Sequence, residues 1–172
     1  MRVALVIGHK KESQGACNHT GICEFMYNKA LVNMISTRLT VENVIVYRQT
    51  YETLPRQINY LEPELVISFH CNAYNTKVSG TETLYHHTDD RSKKIAQQLQ
   101  DTIVDTLRLK NRGIKPKSTE DRGGYLLKYV HAPCVIIEPF FIDNDMDMKV
   151  GNEKIAVLAD NIAKFINAYR YK

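Results

Sequence analysis

Four side chains that can bind metals or move protons stand far apart in the chain: His9, Glu24, His70 and Glu138. Three of them, the two histidines and Glu138, each follow an apolar run that is typical of a buried strand. Glu24 stands near the start of an amphipathic helix, at the edge of the face that its apolar neighbours turn toward the core. A carboxylate buried there requires a partner, which an arginine or a metal ion could provide.

Two histidines and a glutamate from separate elements form the ligand set of many catalytic zinc sites. Three protein ligands leave the fourth coordination position open for water, whose pKa the metal lowers to about 7. Each residue alone also has an ordinary explanation, such as a hydrogen-bonded histidine or a solvated glutamate favoured by the helix dipole. Taken together, His9, Glu24 and His70 indicate a metal centre.

Glu138 has a strongly apolar sequence environment. It follows Val135-Ile136-Ile137 and precedes Pro139-Phe140-Phe141. Burial in such surroundings raises the pKa of a carboxyl group, which suits a general base that works near neutral pH. The alternative is a buried glutamate that pairs with an arginine such as Arg112 or Arg122.

The order of the predicted elements indicates the fold class. Strands and helices alternate from end to end, which predicts a single α/β domain over residues 1–172 with three layers, a mixed and mostly parallel twisted sheet, and helices on both faces. Ligands of open α/β sheets bind beyond the carboxyl ends of the strands. The predicted strands cover about 2–7, 44–47, 65–69, 80–85 and 133–138. The predicted helices cover about 21–38, 51–61, 91–109, 125–130 and 153–169, and Asn18 or Thr20 is expected to cap the first of them. Residues 110–124 are predicted to form a long loop.

Composition excludes several classes of protein. No apolar run approaches the roughly 20 residues that a membrane-spanning helix needs. The net charge is +4, with dispersed lysines and arginines and no tryptophan, so a nucleic-acid-binding surface is not expected. The N-terminal run is too short for the apolar region of a signal peptide.

The four cysteines form no CxxC pair. The size of the chain and the missing signal peptide argue against a disulfide framework. Cys17, His19 and Cys23 have spacings that a second zinc site could use, but they supply only three ligands locally. Cys71 and Cys134 stand within or beside apolar runs, where free cysteine acts as a small hydrophobic residue.

The ordered set of motifs carries a family resemblance. The motifs are Gly8-His9, Glu24, Ser68-Phe69-His70-Cys71-Asn72-Ala73, the segment 80–85, Arg112-Gly113-Ile114-Lys115 and the segment 137–144. In this order they resemble the zinc-dependent N-acetylmuramoyl-L-alanine amidases of the Amidase_3 type, over nearly the full chain. The sequence departs from the family pattern at Lys10-Lys11, Cys71 and Asp143, positions expected at the rim of the cleft.

The resemblance implies an activity and roles for six residues. His9, Glu24 and His70 are expected to hold one Zn²⁺ per chain. Glu138 is expected to take a proton from the attacking water and hand it to the leaving alanine nitrogen. The substrate is expected to be peptidoglycan, cut between the lactyl group of muramic acid and L-alanine. Two further residues, Asn72 and Arg112, are expected to line the cleft and bind substrate.

Three alternatives stay open at this stage. A non-catalytic peptidoglycan-binding module on the same fold would be expected to lack Glu138 or a ligand. Another zinc amidohydrolase or peptidase could use the same scaffold. A structural protein would never bind the metal. A short amidase without a signal peptide resembles a phage or prophage endolysin, which is made in the host cytoplasm and released to the cell wall through a holin or at lysis. The other setting is a sporulation or mother-cell lysis enzyme.

Overall fold

A single mixed sheet forms the centre of the computed structural model, which describes residues 1–169. Its strands are β1 (Arg2–Ile7), β2 (Glu42–Tyr47), β3 (Leu65–Phe69), β4 (Thr81–His86), β5 (Asn111–Lys117) and β6 (Cys134–Glu138). Their order across the sheet is β2-β1-β3-β6-β4-β5. The first four strands in that order are parallel neighbours, β4 is antiparallel to β6, and β5 is parallel to β4.

Helices cover both faces of this sheet: α1 (Glu24–Ser36), α2 (Leu54–Tyr60), α3 (Asp90–Leu107), α4 (Gly124–Tyr129) and α5 (Asp145–Ala168). Alternate residues of β1 show the division, since Leu5 joins the apolar cluster of α1, α3 and α5, and Val6 joins that of α2 and α4. The predicted three-layer α/β class is confirmed. Within the described residues, no helix combines the length and the apolar character that crossing a membrane requires.

The central strands bring the predicted site residues to one edge of the sheet. β1, β3 and β6 are buried on both faces, which explains why each reads as a nearly continuous apolar run. Because these strands are parallel neighbours, their carboxyl ends meet at the same edge. His9 and His70 follow two of these ends and Glu138 closes the third.

The prediction of a loop over 110–124 is wrong in its first half, which contains β5. Among the described strands, β5 pairs with β4 alone and forms an edge of the sheet. An edge strand tolerates Pro116, which has no N–H to donate, and Gly113 sits in the left-handed region with φ +76°. Residues that usually mark loops therefore occur inside a strand here.

Two helix starts also differ from the prediction. The first helix begins at Glu24 with Cys23 as its N-cap, and neither Asn18 nor Thr20 caps it. The last helix begins at Asp145 rather than near 153, because the Asn144 side chain caps it by accepting hydrogen bonds from two backbone N–H groups.

Candidate active site

The two histidines approach each other because a glycine precedes the first of them. The Gly8 N–H donates to the Phe69 carbonyl at 2.9 Å, which continues the contact of β1 with β3 up to the site. A Cβ at position 8 would lie 2.3 Å from that carbonyl oxygen and 2.7 Å from the His70 ring. His9 itself adopts the left-handed region with φ +66°, an uncommon conformation for a residue with a side chain.

Glu24 is buried beneath the histidines, with only 1% of the residue exposed. Its Oε1 accepts a hydrogen bond from the Ala16 N–H at 2.9 Å, and its Oε2 accepts one from the Cys71 N–H at 3.1 Å. A Cβ on the neighbouring Gly15, which has φ +81°, would meet the His9 ring at 2.6 Å and Glu24 Oε1 at 2.8 Å. Backbone groups from two loops thus fix the orientation of this carboxylate.

The three side chains converge on one point. Oε2 of Glu24 lies 3.2 Å from His9 Nε2 and 3.4 Å from His70 Nδ1, and one ligand atom from each residue falls within 4.8 Å of the others. Among the described residues, the buried His9 Nε2 has no hydrogen-bond partner of acceptable geometry despite its closeness to the carboxylate. Two imidazole nitrogens and a carboxylate oxygen, one of them buried and unsatisfied, could hold a transition-metal ion.

The protonation states of the cluster also suit metal binding. Burial raises the pKa of the Glu24 carboxyl, but the close contacts and charges of His70 and His9 outweigh burial and hold this pKa well below its usual range. Burial lowers the pKa of His70, although Glu24 opposes the change. A charged carboxylate and a neutral imidazole are the forms in which these groups bind metals.

Glu138 lines the same cleft as His9 and His70, a cavity of about 410 Å³. Burial, together with the charges of Glu82 and Glu24, raises the pKa of Glu138 to about 7, although Arg122 and Lys117 oppose the change. Among residues 1–169, no cation comes within 4.0 Å of its carboxylate, so the alternative of an arginine-paired Glu138 does not hold. A carboxyl group with this pKa can accept or donate a proton at neutral pH.

The raised pKa of Glu138 predicts how stability depends on pH in the metal-free protein. The folded-state pKa of about 7 exceeds the ordinary value of 4.5, so the folded state holds the proton more tightly, and stability falls as pH rises from about 4.5 through about 7. We expect Glu138→Gln to remove up to about 3 kcal/mol of this dependence. Urea unfolding of both proteins at pH 4.5 and pH 8 measures it; identical pH profiles would contradict the buried-carboxyl interpretation.

Asn72 and Arg112 lie outside the wall of this cleft. Both bind Glu82 instead: the Asn72 amide donates to Oε1 at 2.8 Å, and Arg112 Nε donates to Oε2 at 2.7 Å. Glu82 is directly opposite Glu138 in the pairing of β4 with β6. The expectation that Asn72 and Arg112 line the cleft is therefore not met, and their predicted contact with substrate stays a prediction.

Glu82 is a site residue that sequence reasoning missed. It occurs in the alternating run Thr81-Glu82-Thr83, which reads as a strand with one wetter face. Nothing in that run distinguishes a solvated glutamate from one beside Glu138, because the distinction depends on the antiparallel pairing of β4 with β6. The cleft residues Tyr51 and Arg122 were also not predicted to bind substrate.

A disulfide bond joins Cys17 to Cys23, immediately before Glu24. The argument against disulfides is therefore wrong for this pair, and the bonded sulfurs do not form the alternative zinc site with His19, whose Nδ1 lies 2.7 Å from Asp145 Oδ1. Chain size and the missing signal peptide were the grounds for expecting no disulfide, whereas the two cysteines face each other across an antiparallel bridge that closes a short turn. Cys71 and Cys134 are free and buried.

We expect the double variant Cys17→Ser, Cys23→Ser to lose about 2 kcal/mol of unfolding free energy, since the bond closes only a short loop. Glu24 begins α1 next to Cys23, and the Ala16 N–H that orients its carboxylate adjoins Cys17. The variant should therefore also bind metal more weakly. Chemical denaturation and metal titration test both effects, with the buried Cys134→Ser as the thiol control; unchanged metal affinity would show that the bond does not support the site.

Comparison with known proteins identifies the family of this chain. Residues 3–168 match the family model Amidase_3, described as N-acetylmuramoyl-L-alanine amidase. The chain is 28% identical over 170 residues to the N-acetylmuramoyl-L-alanine amidase LytC of Bacillus subtilis, covering 93% of this chain and 33% of LytC. It is 28% identical over 173 residues to the B. subtilis protein YqiI, covering 94% of this chain and 81% of that one. The chain thus spans about a third of LytC but most of YqiI.

A solved structure agrees in fold. The N-acetylmuramoyl-L-alanine amidase of Clostridium difficile 630 superposes with a TM-score of 0.86 at 21% identity, covering 98% of this chain and 95% of that one. At this identity the likeness concerns the fold. The family model, in contrast, spans nearly all of the described residues and includes the elements that carry His9, Glu24, His70 and Glu138. The chain belongs to the Amidase_3 family of N-acetylmuramoyl-L-alanine amidases.

Proposed function

We propose that this protein is a zinc-dependent N-acetylmuramoyl-L-alanine amidase that hydrolyses peptidoglycan between the lactyl group of muramic acid and the L-alanine of the stem peptide. The observation that carries the proposal is the convergence of His9, Glu24 and His70 beside Glu138 at the cleft, in a chain of this family.

His9, Glu24 and His70 would hold one Zn²⁺ through two nitrogens and one oxygen. The donor set fits zinc, and three protein ligands leave room for water or substrate. When bound, zinc supplies polarisation of the scissile carbonyl and a lowered pKa for the attacking water. The hydrogen bonds from the Ala16 and Cys71 amides hold the Glu24 carboxylate in place beneath the histidines and would reduce the reorganisation needed for binding.

Glu138 performs the proton transfers in this proposal. Its ionised carboxylate takes the proton of the water that attacks the lactyl carbonyl carbon. The resulting carboxylic acid then donates this proton to the alanine nitrogen as the C–N bond breaks, which releases a free amino group. A pKa of about 7 for Glu138 suits both steps, since neither form of the group is strongly favoured at neutral pH.

The alternative of a non-catalytic peptidoglycan-binding module has less support. A binding module does not require a buried carboxyl group with a raised pKa next to a metal-ligand cluster, and such groups concentrate at catalytic sites. The cellular setting of an endolysin released through a holin or at lysis stays a prediction from the sequence.

The test uses purified protein and purified peptidoglycan. We expect new alanine amino termini to appear with no new reducing sugar ends, together with one equivalent of zinc by elemental analysis. New reducing ends, or amino termini on residues other than alanine, would assign the chain to a different hydrolase class. Binding to peptidoglycan without any product would support the non-catalytic alternative.

A further inference from the structure

Two arginines, Arg48 and Arg122, lie in the wall of the cleft that contains His70 and Glu138. They differ in what surrounds them. The Arg48 guanidinium stands over the ring of Tyr51, 5.9 Å from its centroid, so an aromatic face already occupies one side of this cation.

Arg122 is exposed, and among residues 1–169 it makes no hydrogen bond and no ion pair. The neighbouring Asp121 forms no ion pair with it; the Asp121 carboxylate instead accepts a hydrogen bond from the Ser118 N–H at 2.7 Å, which closes the turn. Arg122 lines the same cleft as Glu138 and His70, and its positive charge opposes the rise in the pKa of Glu138.

The loop that carries Arg122 has a defined shape. Gly123 follows with φ +86°, and a Cβ there would lie 2.7 Å from Ile136 Cδ1. The Gly124 N–H donates to the Asp121 carbonyl at 2.8 Å, and the Asp121 N–H donates to the Ser118 carbonyl at 3.1 Å. The backbone on both sides of Arg122 is therefore fixed, while its exposed side chain lines the cleft.

We propose that Arg122 is a specificity-determining residue that binds a carboxylate of the stem peptide next to the scissile amide. This inference rests on the proposed function. The second stem residue is joined through its side-chain carboxyl group, so its α-carboxyl is available one residue beyond the cut, either as a free carboxylate or as a carboxamide. A guanidinium forms charge-assisted, bidentate hydrogen bonds with a carboxylate and cannot do so with a carboxamide.

The experiment uses the zinc-loaded protein and two matched peptidoglycan preparations, one with the free α-carboxylate at the second stem residue and one with the carboxamide. We expect wild type to release alanine amino termini about tenfold faster from the carboxylate form, the factor that corresponds to one good charge-assisted contact at a partly exposed site. Arg122→Gln should cleave the carboxylate form no faster than the carboxamide form. The rate of Arg122→Lys on the carboxylate form should lie between those of wild type and Arg122→Gln.

Arg56→Gln is the matched control, because Arg56 is an exposed arginine of α2 outside the cleft wall. It should keep the wild-type ratio of rates. An equal rate of wild type on both preparations, or an equal fall of Arg122→Gln on both, overturns the role of Arg122 while leaving the amidase function intact. Absence of alanine release by wild type from either preparation overturns the proposed function itself.

Discussion

Replacing Glu138 by glutamine is expected to abolish nearly all hydrolysis while leaving the metal in place. The amide keeps the size of the carboxyl group but cannot accept the proton of water, and general acid–base catalysis contributes roughly 10²- to 10⁴-fold to a rate. Metal binding should persist because His9, Glu24 and His70 alone form the cluster within mutual reach of one ion in the described chain. Release of alanine amino termini and elemental analysis of the same sample measure both quantities.

Glu153→Gln provides a control for this experiment, since Glu153 is an exposed glutamate of α5 beside Lys149. It should retain wild-type rate and metal content. A Glu138→Gln protein that keeps its rate would remove Glu138 from the chemistry. A Glu138→Gln protein that loses zinc along with its rate would instead identify Glu138 as a metal ligand. That result would contradict the assignment of metal binding to His9, Glu24 and His70 alone.

Replacing His70 by alanine is expected to remove metal binding and, with it, a large share of thermal stability. A ligand that binds only the folded state stabilises it by about 4 kcal/mol when its free concentration is a thousand times Kd. For a chain of this length that corresponds to roughly 8–16 °C in Tm. Glu24, which is only 1% exposed, would in addition keep its buried carboxylate with one imidazole beside it and no metal.

Thermal unfolding with zinc and with a chelator isolates the metal contribution. Wild type should show the shift between the two conditions, and His70→Ala should show none. His131→Ala serves as the control, because His131 is exposed and, within residues 1–169, only its backbone N–H makes a hydrogen bond, to Asn59 Oδ1. A zinc-dependent shift that survives in His70→Ala would show that the ion sits elsewhere.

The sequence predicted the parts of the site that depend on strand ends. His9, His70 and Glu138 follow or close strands whose two faces are both buried, and such strands leave an unmistakable apolar run. Once those runs are taken as parallel neighbours, their ends must meet. Glu24 was found differently, as a carboxylate on the core-facing edge of a helix where only a partner makes burial tolerable.

The sequence did not predict features that depend on which distant segments meet. β5 was missed because Gly113 and Pro116 signal a loop, and only its position at the edge of the sheet makes them acceptable. The early start of α5 was missed because Gly151 stands inside it. A Cβ at Gly151 would lie 2.6 Å from the Phe140 ring, so a tertiary contact selects glycine against its helical preference. The Cys17–Cys23 pairing, in contrast, depends on a local bridge that composition does not reveal.

The cleft walls and the hydrolytic groups come from different parts of the fold. The groups proposed for hydrolysis come from the ends of the central strands and the start of α1, whereas Arg48, Tyr51 and Arg122 come from two separate connections, one after β2 and one after β5. Insertions or exchanges in those connections would alter which wall polymer fits without disturbing the hydrolytic apparatus. Grafting both connections from a relative onto this chain should therefore transfer substrate preference as a module.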